Sequence, residues 1–514
     1  MSQDLPARDN PAAPESLPDE GAAAGRIPTG LLVIGRLVGL LLLVVGLSMA
    51  VCLAGSLFYS DWGATRALGL AVACTVGSGV ALFYACRGGR AQVYRREALA
   101  VVSMGWLLIV AYSALPFVFA GTFANPVDAF FEATSGFTAT GATVLTDIEA
   151  VPRGLLLWRQ MTHWLGGMGI IVLFTALFAQ LGVGAKQLFR TETPGPISES
   201  LHPKIKETAL AVWKIYIGFT VLVFVLLLLC GMGAFDALCH AMSTMATGGY
   251  STRNASVGHF DSVAVDLVIT LFMFMGGVNF FLYYQALHGR WRALVRNGEF
   301  LTYLGLCAAV ALAIAWDIYG SRHPDFAQAL RYSAFQTVAV ATTTGFCTDD
   351  FDAYPALSRT LLVCLMFVGG CAGSTSGGMK VSRLMVIGKI AYQEIYRVLR
   401  PQVRTSVRIG RQVVGQDVCH SIMVFALTFI LFWAGGTVYM AALGLDLVTA
   451  TVSVVACLGN VGPGLGQIGP TRTYAELPDG GKVFLSFCML LGRLELSTLL
   501  VLLLPDFWRR VVRR

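Results

Sequence analysis

Between residues 31 and 505, apolar stretches long enough to cross a bilayer, about 20 residues each, follow one another almost without interruption. Such stretches fold as a polytopic bundle of helices, because inside lipid only helices and closed barrels satisfy every backbone group. Hydropathy places ten spans, near residues 31–55, 66–86, 99–120, 157–181, 208–233, 262–287, 299–318, 360–396, 418–444 and 482–505. Only residues 1–27 stand apart: rich in Pro, Ala and acids and without an apolar h-region, they read as a disordered segment rather than a signal peptide.

The formal charge of +7 is a topology signal and not a nucleic-acid surface. Alternate loops gather the bases: Arg87, Arg90, Arg95 and Arg96, then Lys186, Arg190, Lys204 and Lys206, then Arg290, Arg292 and Arg296, then eight between Lys380 and Arg411, then the Arg509 to Arg514 tail. The loops between carry mostly acids, among them Asp147, Glu149, Asp349, Asp350, Asp352 and Asp479. Positive loops stay inside, so both termini are expected in the cytoplasm. The 12 cysteines are scattered without a CxxC pair and read as small buried hydrophobes.

Four of the outer loops repeat one another, each a helix-length run that stops at a Thr/Gly cluster. DAFFEATSGFTATGATV (Asp128 to Val144) aligns without a gap on DALCHAMSTMATGGYST (Asp236 to Thr252), setting Gly141 on Gly249. AFQTVAVATTTGFCT (Ala334 to Thr348) and the more divergent TATVSVVACLGNVGPGLG (Thr449 to Gly466) complete the set, the last with Val461 before Gly462 and Pro463 after it. A second marker follows each of these glycines by 24 to 30 residues: Gly166-Gly167, Gly276-Gly277, Gly369-Gly370 and Gly492-Arg493. Two registers repeating together predict four span, pore-loop, span units in tandem. The expected organisation is therefore residues 1–27, two additional helices with a basic loop over 28–98, and repeats over 99–190, 191–298, 299–411 and 412–514.

A cation leaving water needs its hydration shell replaced by oxygens, and converging backbone carbonyls supply them without full charges, as in potassium filters. Glycine suits the point where backbones meet at an axis, and a neighbouring Thr can add a hydroxyl oxygen at the inner end. The expected filter is Ala139, Thr140 and Gly141; Thr247, Gly248 and Gly249; Thr343, Thr344 and Gly345; and Asn460, Val461 and Gly462, with K+ as the ion held. The negative dipole end of each short helix points at the cation path. Gly166, Gly167, Gly276 and Gly277 read as packing residues.

The pieces FEATSGFTATGAT, WLGGMGI (Trp164 to Ile170), MATGGYST, TTTGF, GGCAGSTSGGMK (Gly369 to Lys380), NVGPGLG and GRLE (Gly492 to Glu495) resemble the Trk/Ktr/HKT superfamily of potassium transporters, and within it the Trk-type membrane subunits, over residues 30 to 505. The resemblance implies a K+-selective, gated pore in the bacterial inner membrane, in a homodimer bound to a cytoplasmic nucleotide-binding regulatory subunit, with no organic cofactor. A Ser at the first loop accompanies sodium conduction in plant members; Gly141 matches the all-glycine pattern. A sodium-permeable or cation-coupled symporter of the same superfamily is the alternative.

Residues 360–396 would make a helix of about 55 Å at 1.5 Å per residue, longer than a bilayer core of about 30 Å requires. The helix-weak run Gly373, Ser374, Thr375, Ser376, Gly377 and Gly378 predicts a break there, beneath the filter, able to plug the path. Arg493 falls at similar depth in the tenth span. A mid-span charge reads as functional: Arg493 is expected to donate to carbonyls of that loop and hold it closed, or else to pair with Glu132, Glu495 or another acid. Lys380 either tunes the inner vestibule or anchors the helix at the inner surface. Asp128 and Asp236 read as helix N-caps, Glu132 as a mouth acid or a local partner, and His163 and His240 as packing or hydrogen-bonding residues.

Other classes fit less well. A secondary transporter with inverted repeats would want intramembrane acids as coupling sites, whereas these repeats all run one way. No HExxH, Ser/Lys dyad or P-loop marks an enzyme.

Overall fold

A computed structural model describes residues 28–88, 93–169, 205–400, 406–409 and 412–512. The segment 1–27, the basic residues Arg90, Lys186, Arg190, Lys204 and Arg411, and the inner part of the span expected at 157–181 lie outside the described residues.

Among the described residues, six helices are long and apolar enough to cross a membrane: Thr29–Phe58, Trp62–Ala85, Arg96–Phe119, Ala209–Leu229, Gly298–Ile318 and Gln416–Ala442. The protein is a multi-pass membrane protein with an all-α membrane region. The first two helices pack on each other as a pair, and each of the remaining four opens one repeat. Each is followed by a short helix, Pro126–Phe137, Ala234–Ala246, Phe326–Ala341 and Leu447–Leu458. Their 12 to 16 residues reach about 18–24 Å, too short to span lipid.

The other four expected spans are the second helices of the repeats, and the described parts show all of them interrupted. Arg153–Gly167 ends at Met168; Val263–Gly276 turns by 96° into Phe280–Leu287; Ala356–Met366 is separated by a loop from Val381–Leu399; Asp479–Arg493 stops before Leu496–Leu500. The break expected in the eighth span alone is therefore seen in the second, third and fourth repeats, and the described part of the first repeat's helix likewise ends at the second glycine marker. Those glycines also pack closely: a Cβ at Gly166 would overlap the carbonyl oxygen of Phe137, and one at Gly492 that of Leu458. Each helix thereby presses on the C-terminal end of its own repeat's short helix.

The repeats close into a ring. The helix after each loop packs on the short helix of the next repeat: Arg153–Gly167 on Ala234–Ala246, Val263–Gly276 on Phe326–Ala341, Ala356–Met366 on Leu447–Leu458, and Asp479–Arg493 back on Pro126–Phe137. The four short helices thus surround one axis with their C-terminal ends at the loops.

The caps differ from expectation. Asn125, Asp325 and Asp446 cap three of the short helices through their side chains, and Gly233 holds the fourth N-cap position. Asp128 instead accepts from Lys482 Nζ at 2.6 Å. Asp236 accepts from Thr252 at 2.7 Å and Arg253 at 2.8 Å. Both aspartates are the third residue of their helix, two positions inside the N-terminus, and so are not the caps.

Candidate functional site

Each loop leaves its short helix through the same backbone conformation. Ala139, Thr247, Thr343 and Asn460 are left-handed, with φ between 51° and 56°, and two residues on so are Gly141, Gly249, Gly345 and Gly462, with φ between 77° and 94°. For the non-glycine residues that conformation costs about 1–2 kcal/mol each, and four matching instances mark a constrained geometry.

The glycine contacts define the ring. A Cβ at Gly141 would run into the Gly248 carbonyl oxygen, one at Gly249 into that of Thr344, one at Gly345 into that of Val461, and one at Gly462 into that of Thr140. Loop thus follows loop and the fourth returns to the first. Among the described residues no donor reaches the carbonyls of Ala139, Thr140, Thr247, Gly248, Thr343, Thr344, Asn460 or Val461, although all eight residues are buried. Buried carbonyls ordinarily find a partner; two tiers of four around one axis form a cage suited to a dehydrated cation.

The polar side chains among these residues, those of the threonines and Asn460, serve the scaffold. Thr140 and Thr344 hydroxyls bond Thr138 and Thr342, each at 2.7 Å, and Asn460 Nδ2 donates to Thr140 Oγ1 and to the Met489 carbonyl, both at 3.0 Å. The two threonines at the inner end meet the interrupted span. Thr247 Oγ1 donates to Thr375 Oγ1 at 3.2 Å, and Gly377 N donates to Thr343 Oγ1 at 2.7 Å. The hydroxyls expected to reach toward the ion are engaged in holding the loops.

The segment from Phe367 to Lys380 runs directly against the inner end of the ring of loops. Thr375 donates through both N and Oγ1 to the Gly276 carbonyl, at 3.2 and 3.1 Å. Cys371 N donates to Gly277 at 2.8 Å and the Gly373 carbonyl accepts from Phe280 N at 3.1 Å. Gly377 lies against the Gly459 carbonyl and Asn460. Gly373, Gly378 and Lys380 take positive φ, and Ser374 makes a local turn to the Cys371 carbonyl. Lys380 is buried with Nζ on the Ser376 carbonyl, so it is no anchor at the inner surface.

Arg493 joins three repeats. Its Nη1 donates to the Thr375 carbonyl at 2.8 Å, and its Nη2 donates to the carbonyls of Gly166 and, at 2.7 Å, Gly167. The acids named as alternative partners are engaged elsewhere: Glu495 with Arg383, Glu132 with Arg159 at 2.6 Å.

Four residues escaped sequence reasoning. Glu299 Oε1 accepts from Ala372 N at 2.7 Å and Ser382 N at 3.1 Å, clasping both ends of the loop beneath the filter. Tyr474 donates to the Gly462 carbonyl at 2.6 Å and, through its backbone N, to Thr143 at 2.8 Å. Arg159 and Tyr250 form a stack behind the second loop. The available signal was Arg159 itself, a charge inside a span, which demands a partner.

The TrkH family, described as cation transport protein, matches residues 67–313 and 320–509. The Trk system potassium uptake protein TrkH of Halomonas elongata is 38% identical over 482 residues, covering 92% of this chain and 98% of the relative. That of Escherichia coli is 37% identical over 484 residues, covering 93% and 99%. The crystal structure of the potassium transporter TrkH from Vibrio parahaemolyticus superposes with a TM-score of 0.84 at 33% identity, covering 93% of this chain and all of that one.

Proposed function

The chain belongs to the TrkH family of cation transport proteins, and from that premise we propose that it takes up K+ through the ring of buried carbonyls contributed by its four loops. The observation that carries this reading is the cyclic contact of each filter glycine with the carbonyl of the next loop. The ion sheds water for these oxygens, the helix ends add negative potential, and passage is blocked from below by the Phe367–Lys380 loop. Arg493 is the latch of that loop and Glu299 its anchor. The protein is a transporter and not an enzyme.

The reading extends to the assembly and its place. The bacterial inner membrane, both termini in the cytoplasm, a homodimer and a cytoplasmic nucleotide-binding regulatory subunit follow from the basic loops and the Trk resemblance. Basic side chains between Lys389 and Arg408 are the proposed contact for the regulator.

Flux into liposomes of purified protein tests the filter. K+ and Rb+ are expected to pass well above Na+ and Li+, and Gly249→Ser is expected to erode that preference, because its Cβ would displace the Thr344 carbonyl. Absence of cation flux, with a regulator supplied, would refute the reading. Glu299→Ala leaves two amides without their acceptor; if the net loss is that of one ordinary hydrogen bond, about 1 kcal/mol, basal K+ flux should rise roughly fivefold. Unchanged flux would place the anchor elsewhere.

A further inference from the structure

The strand leaving the second filter loop is held by a stack that has no counterpart in the reading above. Arg159 and His163 sit one turn apart on Arg153–Gly167, the helix following the first loop, and the ring of Tyr250 enters between them. The guanidinium carbon lies 3.3 Å from the ring centroid, and the imidazole stacks on the ring at 3.9 Å with an interplanar angle of 15°. Groups so close to one centroid occupy opposite faces. All three side chains are at most 1% exposed.

The stack is tied to the first and second pore loops and the short helices that lead into them. On the second loop, Arg159 Nη1 donates to the Ser251 carbonyl at 3.0 Å and Gln160 Nε2 to that of Tyr250 at 3.1 Å. His163 Nδ1 meets Ser243 Oγ at 3.2 Å, and the imidazole packs so close to Gly248 that a Cβ there would collide with it. Toward the first loop, Tyr250 donates to the Glu132 carbonyl at 2.9 Å, with that of Ala142 at 3.3 Å. Glu132 pairs with Arg159 and accepts from Val144 N at 2.9 Å. The pair is neutral as a unit, so it adds no net charge beside the ion path.

We propose that Arg159 and His163 are positioning residues for ion discrimination: by clamping Tyr250 they fix the Gly248 and Gly249 carbonyls against the first loop. The inference rests on the carbonyl-filter reading. Whether K+ is preferred through cavity size or through the number and field strength of carbonyls, the preference depends on where those oxygens sit. A strand released from its clamp lets them approach a smaller ion. The other loops place Ala142, Phe346 and Pro463 at the position of Tyr250, so the device belongs to the seam between the first and second repeats.

The test is the ratio of K+ to Na+ flux in liposomes holding the full-length protein, a quantity independent of how much protein is active. His163→Leu and Tyr250→Leu should lower the ratio about tenfold, the equivalent of ~1.4 kcal/mol, with K+ still conducted. Tyr250→Phe keeps the stacked ring and should stay within about threefold of the parent, losing one hydrogen bond. Arg159→Lys retains the charge opposite Glu132 but not the flat face; it should also lower the ratio, and it decides the matter if a leucine variant does not fold. Parental ratios in these variants, alongside a lowered ratio in Gly249→Ser, would overturn the clamp and leave the filter standing. A parental ratio in Gly249→Ser would instead remove the filter reading itself.

Discussion

Arg493→Ala is expected to conduct K+ about ten to a hundred times faster than the parent in liposomes, the range produced when the closed arrangement loses a net ~1.5–3 kcal/mol, that of one charge-assisted bond. The guanidinium joins the Thr375 carbonyl to those of Gly166 and Gly167, while the other side of Thr375 is fixed to the Gly276 carbonyl. Thr375 therefore hangs between the fourth and first repeats on one side and the second on the other. Removing the arginine frees the Thr375 carbonyl and leaves the bonds of Thr375 to Gly276 and Thr247, and the glycines of the loop at positive φ, Gly369, Gly373 and Gly378, supply the freedom to swing aside. Arg493→Lys separates two ways in which the residue can block passage. A lysine keeps the positive charge but cannot bridge three carbonyls with a planar fork. Intermediate flux in Arg493→Lys marks a latch, whereas flux as low as the parent's marks an electrostatic barrier. Parental flux in Arg493→Ala, at equal amounts of reconstituted protein, would end both accounts.

The repeats were legible because two unrelated registers, the Thr/Gly loops and the later glycine pairs, advance together along the chain. Their backbone geometry was less so. Gly141 and its equivalents announce a special conformation through residue type, but Ala139, Thr247, Thr343 and Asn460 do not, and their left-handed φ is imposed by the ring. Breaks in the second helices were readable only where polarity fell together with glycine, as in Gly373 to Gly378. In Val263 to Leu287 the hydropathy runs on across the bend, and the sharpest signal is Asn279, whose side chain caps the following helix by accepting from Phe281 N at 2.9 Å.

Partner choice was the harder part. Glu132 and Arg159 lie 27 residues apart on different helices, and nothing local to either names the other; only the cost of burying a lone charge says that a partner exists. Asp128 and Asp236 lie three residues beyond the N-cap positions held by Asn125 and Gly233, and Lys482 and Arg253 claim them. Arg493 was placed at the right depth by counting residues along two spans, but its two carbonyl partners in the first repeat required knowing that the fourth repeat closes on the first.

Gly345→Ala is expected to lower selective K+ flux about a hundredfold or more, the loss that follows if the displaced carbonyl costs the passing ion ~3 kcal/mol. Of the four ring glycines this one meets the least yielding surroundings: its missing Cβ faces both the Val461 carbonyl and, at 2.7 Å, Pro463 Cδ. A carbonyl in a filter cannot retreat without leaving the ion, and a proline ring fixed at φ cannot rotate out of the way. Alanine would also have to hold φ near 77°, adding about 1–2 kcal/mol that falls on the stability of the fold rather than on conduction. The two costs are separable. Combining Gly345→Ala with Pro463→Ala relieves the ring contact but not the dihedral strain, so part of the flux should return while the lowered melting temperature does not. Non-additivity of that kind is what two residues in direct contact produce; strictly additive losses in flux would mean that the Pro463 ring is not what an added Cβ at Gly345 meets.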